Sequence, residues 1–400
     1  MDSQRARKTH RRRRWRQSLI AVFILLSIMM TFVSRAFHVG RSGSVDMGSV
    51  APAPTPVAYQ ELGFEFGRGY IGPNWQLYFN EPDEGSERAE YANGLDEVLA
   101  AAIDGAAATL DIAAFELNSD ALRDAIAAAH ERGLVVRILT DDDHGLQDER
   151  DSHLRDLLQA DIQLHDDDRS GLMHNKFVII DGQAVWTGSW NYTVNGSYRN
   201  NNNALVLESV AAAAAYQAEF DEMFERGEFG KRSRDGGTVT FAHDNGEISI
   251  LFAPEADEIS ALRSEIARAQ RSIRFMTFVF SLEALAEAML LQAANADVAI
   301  EGVFEKRNST ASWSQLPALH CAGAAVRQDG NRYILHHKVI IIDDDTVITG
   351  SFNFSRSAAE SNDENIVIIR NADIAALYLD EWRRIWDSAE ELAPNEVICD

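Results

Sequence analysis

The amino-acid sequence predicts an α/β fold made of two similar halves, preceded by a basic and apolar N-terminal segment. Three observations lead to this prediction: short apolar strands alternate with amphipathic helices, the second part of the chain repeats the first at a nearly constant offset, and a basic run comes before an apolar stretch. A repeat this long is a duplicated domain half. Each half should form an α/β/α sandwich, and the two should pack about a pseudo-twofold axis.

The N-terminal segment, residues 1–36, has the features of an export or anchoring signal. The basic residues 11–16 precede an uncharged, mostly apolar stretch of sixteen residues, 18–33. Positive charge retained inside would leave the rest of the chain facing away from the cytoplasm. The stretch is intermediate between a signal-peptide core and a full membrane span, so an uncleaved anchor and a signal cleaved near 34–36 are both predicted. The protein is then extracytoplasmic, either membrane-anchored or secreted.

Residues 37–58 have linker composition, with Gly, Ser, Pro and Ala in runs such as 51–56, and the predicted linker extends over residues 37–70. The folded part is expected to begin near Trp75 or a little before it. The first repeat should occupy residues 71–235 and the second residues 236–400.

The predicted helices and strands recur in the same order in both repeats. The first repeat has a helix around 95–103, a strand at 110–115, a helix from 119 and a strand at 134–140. The second has a helix around 259–269, a strand at 273–278, a helix from 282 and a strand at 298–303. Phe115 matches Phe278, and Leu122 matches Leu285, both pairs at the same offset. Such strands are typical of a largely buried sheet.

The distribution of charge restricts the partners. The net charge is −25, and because residues 1–41 carry ten Lys and Arg against one Asp, or +9, the remainder stands at −34. So acidic a body lacks the broad basic surface of a tight nucleic-acid binder, and anionic lipid surfaces should repel it, although a locally positive cleft is still allowed. The chain has only five lysines, and two of them fall in the motifs described next.

One block of motif residues occurs in each repeat, at a constant offset of 162. Both copies read His-x-Lys-x4-Asp, then six residues, then Gly-Ser-x-Asn; the first runs from His174 to Asn191 and the second from His336 to Asn353. The apolar stretches 176–180 and 338–342 should be buried strands. If each strand extends back to its histidine, His and Lys project from the same face, and a twofold arrangement brings both copies around one cleft.

Two His, two Lys and two Asn around one centre suit the cleavage of a phosphodiester. A neutral imidazole attacks phosphorus while the other, as imidazolium, protonates the leaving oxygen and then activates water. Lys and Asn hold the non-bridging oxygens and stabilise charge in the transition state. This chemistry requires no metal and no cofactor. The residues predicted for it are His174, Lys176, Asn191, His336, Lys338 and Asn353.

The paired blocks resemble the His-Lys-Asp motifs of the phospholipase D superfamily, and the resemblance covers roughly residues 75–390. It implies a two-lobed fold of the phospholipase D type, metal-independent phosphoryl transfer and a covalent phosphohistidine. It further implies that His174 is the nucleophile and that His336 is the acid and base.

An acidic element downstream of the second motif has no acidic counterpart in the first repeat. Glu364 is similar to the family's carboxylate that orients a catalytic histidine, whereas the residue 162 positions earlier is Asn202. Asn can position an imidazole but cannot offset its charge, so the two halves should differ in basicity. Which ring Glu364 reaches, and hence which histidine is the nucleophile, is left open by the sequence.

Several motif residues have two interpretations. Asp181 and Asp343 are candidates for catalysis and also for hydrogen-bond acceptors at strand ends. Trp190 and Phe352 either line the cleft or pack behind it. His337 should point to the opposite face of its strand and is left out of the site.

The acidic runs at 141–143, 166–168 and 343–345 raise the hypothesis of a metal site, but runs at strand ends and turns are more often solvated loop charge. The cysteines, Cys321 and Cys399, lack metal-ligand spacing. One disulfide and two free thiols are the alternatives.

Three functions fit these observations: a phospholipase that cleaves phospholipid headgroups, a nuclease, and an inactive binding module. The module is disfavoured because all six His, Lys and Asn positions are present. Membrane tethering and the acidic body favour phospholipid over nucleic acid, which stays the alternative substrate; phosphatidyl transfer to an alcohol, as in cardiolipin synthases, ranks third. Two motifs in one chain complete a site without a second subunit, which leaves the oligomeric state open.

Overall fold

The computed structural model describes residues 59–82, 91–147, 152–234, 237–294 and 298–399. The predicted N-terminal segment and residues 37–58 of the predicted linker lie outside these residues. Within the described ranges, no helix combines the length and apolar character needed to cross a membrane.

The first half is built on a nine-stranded mixed sheet. Its strands are β1 Gln60–Phe64, β2 Gly67–Ile71, β3 Trp75–Asn80, β4 Thr109–Ala114, β5 Val135–Thr140, β6 Gln163–Asp166, β7 Lys176–Ile180, β8 Ala184–Gly188 and β9 Asn203–Leu207. Its α-helices are α1 Leu95–Asp104, α2 Asp120–Glu131, α3 Ser152–Gln159, α4 Val194–Tyr198 and α5 Val210–Arg226. The strand order is β1-β2-β3-β9-β8-β7-β4-β5-β6, and β4, β5 and β6 are the parallel strands.

The second half repeats this plan. Its strands are β10 Val239–His243, β11 Gly246–Ala253, β12 Ser272–Thr277, β13 Ala299–Phe304, β14 Ala325–Gln328, β15 Lys338–Ile342, β16 Thr346–Gly350, β17 Glu364–Arg370 and β18 Glu390–Glu391. Its α-helices are α6 Glu258–Ile266, α7 Glu283–Ala293, α8 Leu316–Cys321, α9 Arg356–Glu360 and α10 Ala372–Ser388. The order is β10-β11-β17-β16-β15-β12-β13-β14-β18, with β12, β13 and β14 parallel.

The elements predicted from the repeat are confirmed in both halves. The predicted strands at 110–115 and 273–278 are β4 and β12, each shifted by one residue, and the buried stretches 176–180 and 338–342 are β7 and β15. The sequence was informative here because each of these strands is a short, mostly apolar run that recurs in the other half.

The predicted linker boundary is wrong for residues 60–70. Strands β1, β2 and β3 form an antiparallel meander that joins the sheet through β3 and β9. The glycines of this meander allow close cross-strand packing: a Cβ on Gly69 would lie 2.7 Å from the ring of Tyr78. Composition alone does not separate such a hairpin from a linker.

Three hydrophobic cores hold the layers together. One lies under the outer helices of each sheet. The third is shared by both halves, with Phe177 and Tyr216 from the first packed into the same cluster as Ile250 and Tyr378 from the second. The two α/β halves are therefore one packed unit, as predicted.

Two backbone bridges relate the halves by a pseudo-twofold axis. Met173 pairs with Asp363, and Leu335 pairs with Asn201. Leu335 follows Met173 by the motif offset of 162, and Asp363 follows Asn201 by the same number, so the two bridges are equivalent.

The cysteines form a disulfide, Cys321–Cys399, which ties α8 to the C-terminal segment of the second half. The sequence left a disulfide and two free thiols as alternatives, and the structure contains the disulfide.

Candidate active site

The motif histidines lie immediately before β7 and β15, in segments that pair across the two halves. His174 N–H donates to Asp363 O at 3.0 Å, and His336 N–H donates to Asn201 O at 2.9 Å. The strands begin at the lysines and do not extend back to the histidines, so the strand extension considered in the sequence analysis does not occur. Pairing across the pseudo-twofold axis, not strand continuation, holds the two histidines beside one centre.

Each half supplies the partner of the other half's histidine. The Nδ1 atom of His174 lies 2.7 Å from Glu364 Oε2, and the Nδ1 atom of His336 lies 2.9 Å from Asn202 Oδ1. Both acceptors keep the proton on Nδ1, so Nε2 is the reactive nitrogen of each ring. The question left open by the sequence is thereby answered: the carboxylate faces the first histidine and the amide faces the second.

The motif serines hold these two partners in place. Ser351 Oγ donates to Glu364 Oε2 at 2.7 Å, and Ser189 Oγ donates to Asn202 Oδ1 at 3.0 Å. Asn362 donates to the second oxygen of Glu364 at 3.1 Å. The Gly-Ser part of each motif therefore orients the acceptor that orients a histidine.

The motif glycines are required by the backbone. Gly188 and Gly350 have φ of 136° and 132°, in the region that L-residues rarely adopt. A Cβ would lie 2.4 Å from Asn203 O at the first position and 2.3 Å from Asn365 O at the second. Any side chain would push β8 away from β9, or β16 away from β17, and would displace the neighbouring serine.

The two lysines are buried beneath the histidines. Lys338 Nζ donates to His336 O at 2.9 Å, and Lys176 Nζ donates to His174 O. The Nζ atom of Lys176 lies 4.7 Å from the ring centroid of Phe115, and the Nζ atom of Lys338 lies 5.0 Å from that of Phe278. These contacts leave further N–H donors on each ammonium for a bound anion.

Burial and mutual repulsion favour the neutral forms of the bases. Burial, followed by the charges of Lys176 and Lys338, holds the pKa of His174 well below its usual value, and the pKa of His336 is lowered in the same way. Burial lowers the pKa of Lys176 to about 7, and it raises the pKa of Glu364 to about 7 against the effect of Lys176. A bound phosphate anion acts in the opposite direction, because its negative charge stabilises the cationic forms of the lysines and of the imidazoles and so raises their pKa values.

The two asparagines differ in their surroundings. Asn191 Nδ2 donates to Glu116 Oε2 at 3.0 Å, whereas the residue that matches Glu116 in the second half is Val279. In the described part of the chain, the buried Oδ1 atoms of Asn191 and Asn353 accept no hydrogen bond. The site is therefore symmetric in its His and Lys residues and asymmetric in its acids.

A protein-family profile described as "Cardiolipin synthase, PLD-like domain" matches residues 99–224 and 262–386, one match in each half. These two matches cover more than half of the chain. The chain belongs to the phospholipase D superfamily, and relatives named phospholipase D and cardiolipin hydrolase support a phosphodiester-hydrolysing enzyme.

Individual relatives agree with this assignment. The chain is 35% identical over 143 residues to a protein named mitochondrial cardiolipin hydrolase from Xenopus laevis, which is 36% of this chain and 68% of that protein. It is 35% identical over 136 residues to a phospholipase D from Rickettsia felis, or 34% of this chain and 68% of the other. The crystal structure of phosphatidylserine synthase from Haemophilus influenzae Rd KW20 matches with a TM-score of 0.57 at 14% identity, over 74% of this chain and 85% of that one, which shows a common fold.

Within this phospholipase D fold, the motif aspartates do not reach the centre, which corrects their place among the catalytic candidates. Asp181 accepts the backbone N–H groups of residues 107, 108 and 109 at 2.7 to 2.9 Å. Asp343 accepts those of residues 270, 271 and 272 at 2.6 to 2.9 Å. Both lie at the ends of β7 and β15 opposite to the lysines. They fasten a strand end to a neighbouring loop.

Two carboxylates and two phenylalanines that were not among the predicted site residues lie next to the histidines. Asp141 and Glu305, at matching strand ends, accept the N–H groups of Met173 at 3.2 Å and Leu335 at 2.7 Å, directly ahead of the histidines. The Phe115 ring lies 4.7 Å from the ring of His174, and the Phe278 ring lies 4.9 Å from that of His336. The match between the two phenylalanines in the repeat was the available signal.

The remaining motif residues pack behind the site. Trp190 and Phe352 are buried, and Trp190 Nε1 donates to Ser197 Oγ at 3.2 Å. His337 points away from the centre as predicted, with Nε2 lying 3.1 Å from Glu381 Oε1.

One group from the acidic runs brings carboxylates together. Oxygens of Asp141, Asp142 and Asp167 lie within 4.8 Å of one another. Backbone N–H groups already occupy oxygens of Asp141 and Asp167, and Arg169 Nε lies 3.3 Å from Asp167 Oδ2. Asp141 and Asp167 are buried, so the expectation of solvated loop charge is wrong for these two residues, and the protein's own donors stabilise their carboxylates.

Proposed function

We propose that this chain hydrolyses the headgroup phosphodiester of phospholipids through a phosphohistidine on His174, with no metal ion taking part. The crosswise pairing of His174 with Glu364 and of His336 with Asn202 carries the proposal. It sets two Nε2 atoms of unequal basicity at one centre. That inequality is what a nucleophile and a proton donor require.

In the first step, His174 Nε2 attacks phosphorus and the bond from phosphorus to the leaving oxygen breaks. His336, as imidazolium, transfers its Nε2 proton to that oxygen, so the headgroup alcohol leaves neutral. The phosphorylated ring of His174 is cationic, and Glu364 offsets that charge through Nδ1–H. Asn202 is a neutral partner and stabilises the imidazolium of His336 less, which favours release of its proton.

In the second step, neutral His336 takes a proton from water. The water oxygen attacks phosphorus, the bond between phosphorus and His174 Nε2 breaks, and phosphatidic acid leaves. An alcohol in place of water gives phosphatidyl transfer by the same path. Lys176, Lys338, Asn191 and Asn353 are proposed to hold the non-bridging oxygens.

The charge of the site suits a single phosphodiester. With His336 as imidazolium, as the first step requires, this ring and the two lysines carry three positive charges, and Glu364 and Glu116 carry two negative charges. One net positive charge then faces one negative charge on the substrate. The body of the chain at −34, from −25 overall and +9 in residues 1–41, argues against a long polyanion such as nucleic acid. The names of the relatives, phospholipase D and cardiolipin hydrolase, also support a lipid substrate.

We place the catalytic part outside the cytoplasm. The Cys321–Cys399 disulfide supports this placement because such bonds persist in oxidising compartments. The basic and apolar N-terminal sequence agrees with it, whether it acts as an anchor or as a cleaved signal.

The test uses the full chain in detergent with chelator present, incubated in parallel with mixed phospholipid micelles and with single-stranded DNA or RNA. Headgroup release that disappears in His174→Ala would support the proposal. Cleavage of nucleic acid with lipid untouched would assign the nuclease alternative to the same site. Loss of lipid turnover on chelation would contradict the metal-independent mechanism.

A further inference from the structure

The two flanks of the active site have the same backbone arrangement but different side chains. Asn331 Nδ2 donates to Arg199 O at 3.1 Å, next to the segment that pairs with His336. The equivalent contact on the other flank is Arg169 Nη1 to Ser361 O at 2.7 Å. The pseudo-twofold axis therefore provides an internal comparison, in which any chemical difference between the flanks belongs to the side chains.

The flank beside His336 is cationic and aromatic. The guanidinium carbons of Arg199 and Arg332 lie 5.4 Å and 5.6 Å from the centroid of the same ring, that of Tyr333. Arg199 also lies over Tyr91 at 5.2 Å and donates to the Tyr91 hydroxyl. One tyrosine ring thus gathers two positive charges, a few positions ahead of a catalytic histidine.

The flank beside His174 also has a guanidinium, that of Arg169, 5.8 Å from the ring of Phe229, but it forms ion pairs with Asp167 and Asp363. At the constant motif offset, the counterparts of Arg199, Arg332 and Tyr333 are Ser361, Ser170 and Gly171. A side chain at Gly171 would collide with its surroundings, since a Cβ there would lie 2.6 Å from Ser361 O. Among the described residues of these two flanks, the guanidinium groups beside His336 are therefore free of carboxylate partners, whereas the one beside His174 is paired.

The two arginines are not neutralised by nearby acids. Within the described part of the chain, neither Arg199 nor Arg332 forms an ion pair. Two carboxylates of the segments around Tyr333, Glu305 and Asp329, are 3% and 2% exposed, and Glu305 accepts the N–H of Leu335 at 2.7 Å. In a body of such negative charge, two unpaired arginines beside the site are a specific feature.

We infer that Arg199, Arg332 and Tyr333 form a subsite for a second phosphate on the leaving group of the substrate. The inference rests on the proposed function, because His336 protonates the leaving oxygen and the leaving group therefore lies on its side. Guanidinium groups bind phosphate with charge-assisted hydrogen bonds, and Tyr333 holds both in position. The preferred lipid is one whose departing alcohol carries its own phosphate, as cardiolipin does.

The experiment compares three lipids that differ in the charge of the leaving group: cardiolipin, phosphatidylglycerol and phosphatidylcholine. Each is presented to the full chain in mixed micelles of equal total anionic charge, so that attraction to the micelle surface is constant. Arg332→Gln should lower kcat/KM for cardiolipin about tenfold, the effect of one charge-assisted contact. Turnover of phosphatidylglycerol should stay within about twofold of the unchanged chain. The cardiolipin preference should also weaken as salt is added.

Arg383→Gln is the matched control, because Arg383 is exposed in α10 and pairs with Asp380 away from this flank. Arg199→Gln is a second variant. If this change disturbs folding, the test still rests on Arg332→Gln, because Arg332 makes fewer contacts. The subsite is overturned if Arg332→Gln lowers kcat/KM equally for cardiolipin and phosphatidylglycerol, or lowers it for neither lipid. A loss of oligonucleotide cleavage alone would also overturn it. If the unchanged chain releases no headgroup from any lipid, the proposed function itself fails and the subsite with it.

Discussion

The two halves of this protein share one motif and one backbone plan, yet they give their histidines different partners. The first half contributes His174 and receives Glu364; the second contributes His336 and receives Asn202. Because each partner comes from the opposite half, neither half contains a complete site. We propose that this difference gives one motif two chemical roles, because the Glu-to-Asn difference, exchanged across the pseudo-twofold axis, makes the basicity of the two rings unequal.

The largest effect is expected from removing a histidine. His174→Ala and His336→Ala should each lower phospholipid turnover by about 10³-fold or more. A substrate with a p-nitrophenyl leaving group separates the two roles, because that group leaves without protonation. His336→Ala should then release about one p-nitrophenol per active site in a burst and turn over slowly afterwards, because the second step still lacks its base, and His174→Ala should show no burst. A burst in His174→Ala but not in His336→Ala would reverse the assignment of nucleophile and acid.

The next effect concerns the partners. Glu364→Gln removes the negative charge that stabilises the cationic phosphohistidine, so turnover should fall about 10- to 100-fold. It also lowers the pKa of His174, so the acidic limb of the pH–rate profile should move to lower pH. Asn202→Asp adds a negative charge beside His336 and raises its pKa, so the basic limb should move to higher pH. Measured kcat/KM against pH decides, and shifts of both variants in one direction would contradict the crosswise pairing.

The disulfide distinguishes the halves in stability. It closes a separation of 78 residues in the second half, and in the described part of the chain the first half has no such bond. Cys321→Ser with Cys399→Ser should lower the free energy of unfolding by about 2 to 4 kcal/mol. Chemical denaturation with and without reductant measures this. The double variant should be insensitive to reductant, and a reductant effect of the same size in both proteins would show that the bond is not its cause.

The smallest effect is expected at the motif aspartates. Partial burial acts to raise the pKa of Asp181 and of Asp343, but three backbone N–H donors outweigh it and the pKa of each is lowered. Their stabilising effect is therefore present above the pKa of the unfolded carboxyl and is lost as the pH falls through the lowered value. Asp343→Asn should lower the free energy of unfolding by about 2 kcal/mol, and Asp181→Asn, which is more exposed, by less. Both should keep kcat per folded molecule; a large loss of kcat would return these residues to the catalytic set.

Much of the fold was predictable because each element predicted in one half could be checked against its counterpart in the other half. The strands β7 and β15 were predicted at their observed bounds, since each is a short apolar run with a lysine at its start. The meander of β1, β2 and β3 was not, because its glycines and exposed residues have the composition of a linker. An edge hairpin is stabilised by backbone pairing to a sheet, and backbone pairing leaves little trace in composition.

The sequence by itself determined the duplicated α/β architecture and the family, and it predicted six residues for the reaction centre, because the spacing of 162 combines two weak patterns into one specific pattern. Only the tertiary structure decided which ring Glu364 reaches, that Asp181 and Asp343 fasten strand ends, and that two arginines converge on Tyr333. Each of these depends on contacts between segments that are distant along the chain. Periodicity reports on neighbours within one element, whereas the packing of the two halves across their shared core determines which distant side chains meet.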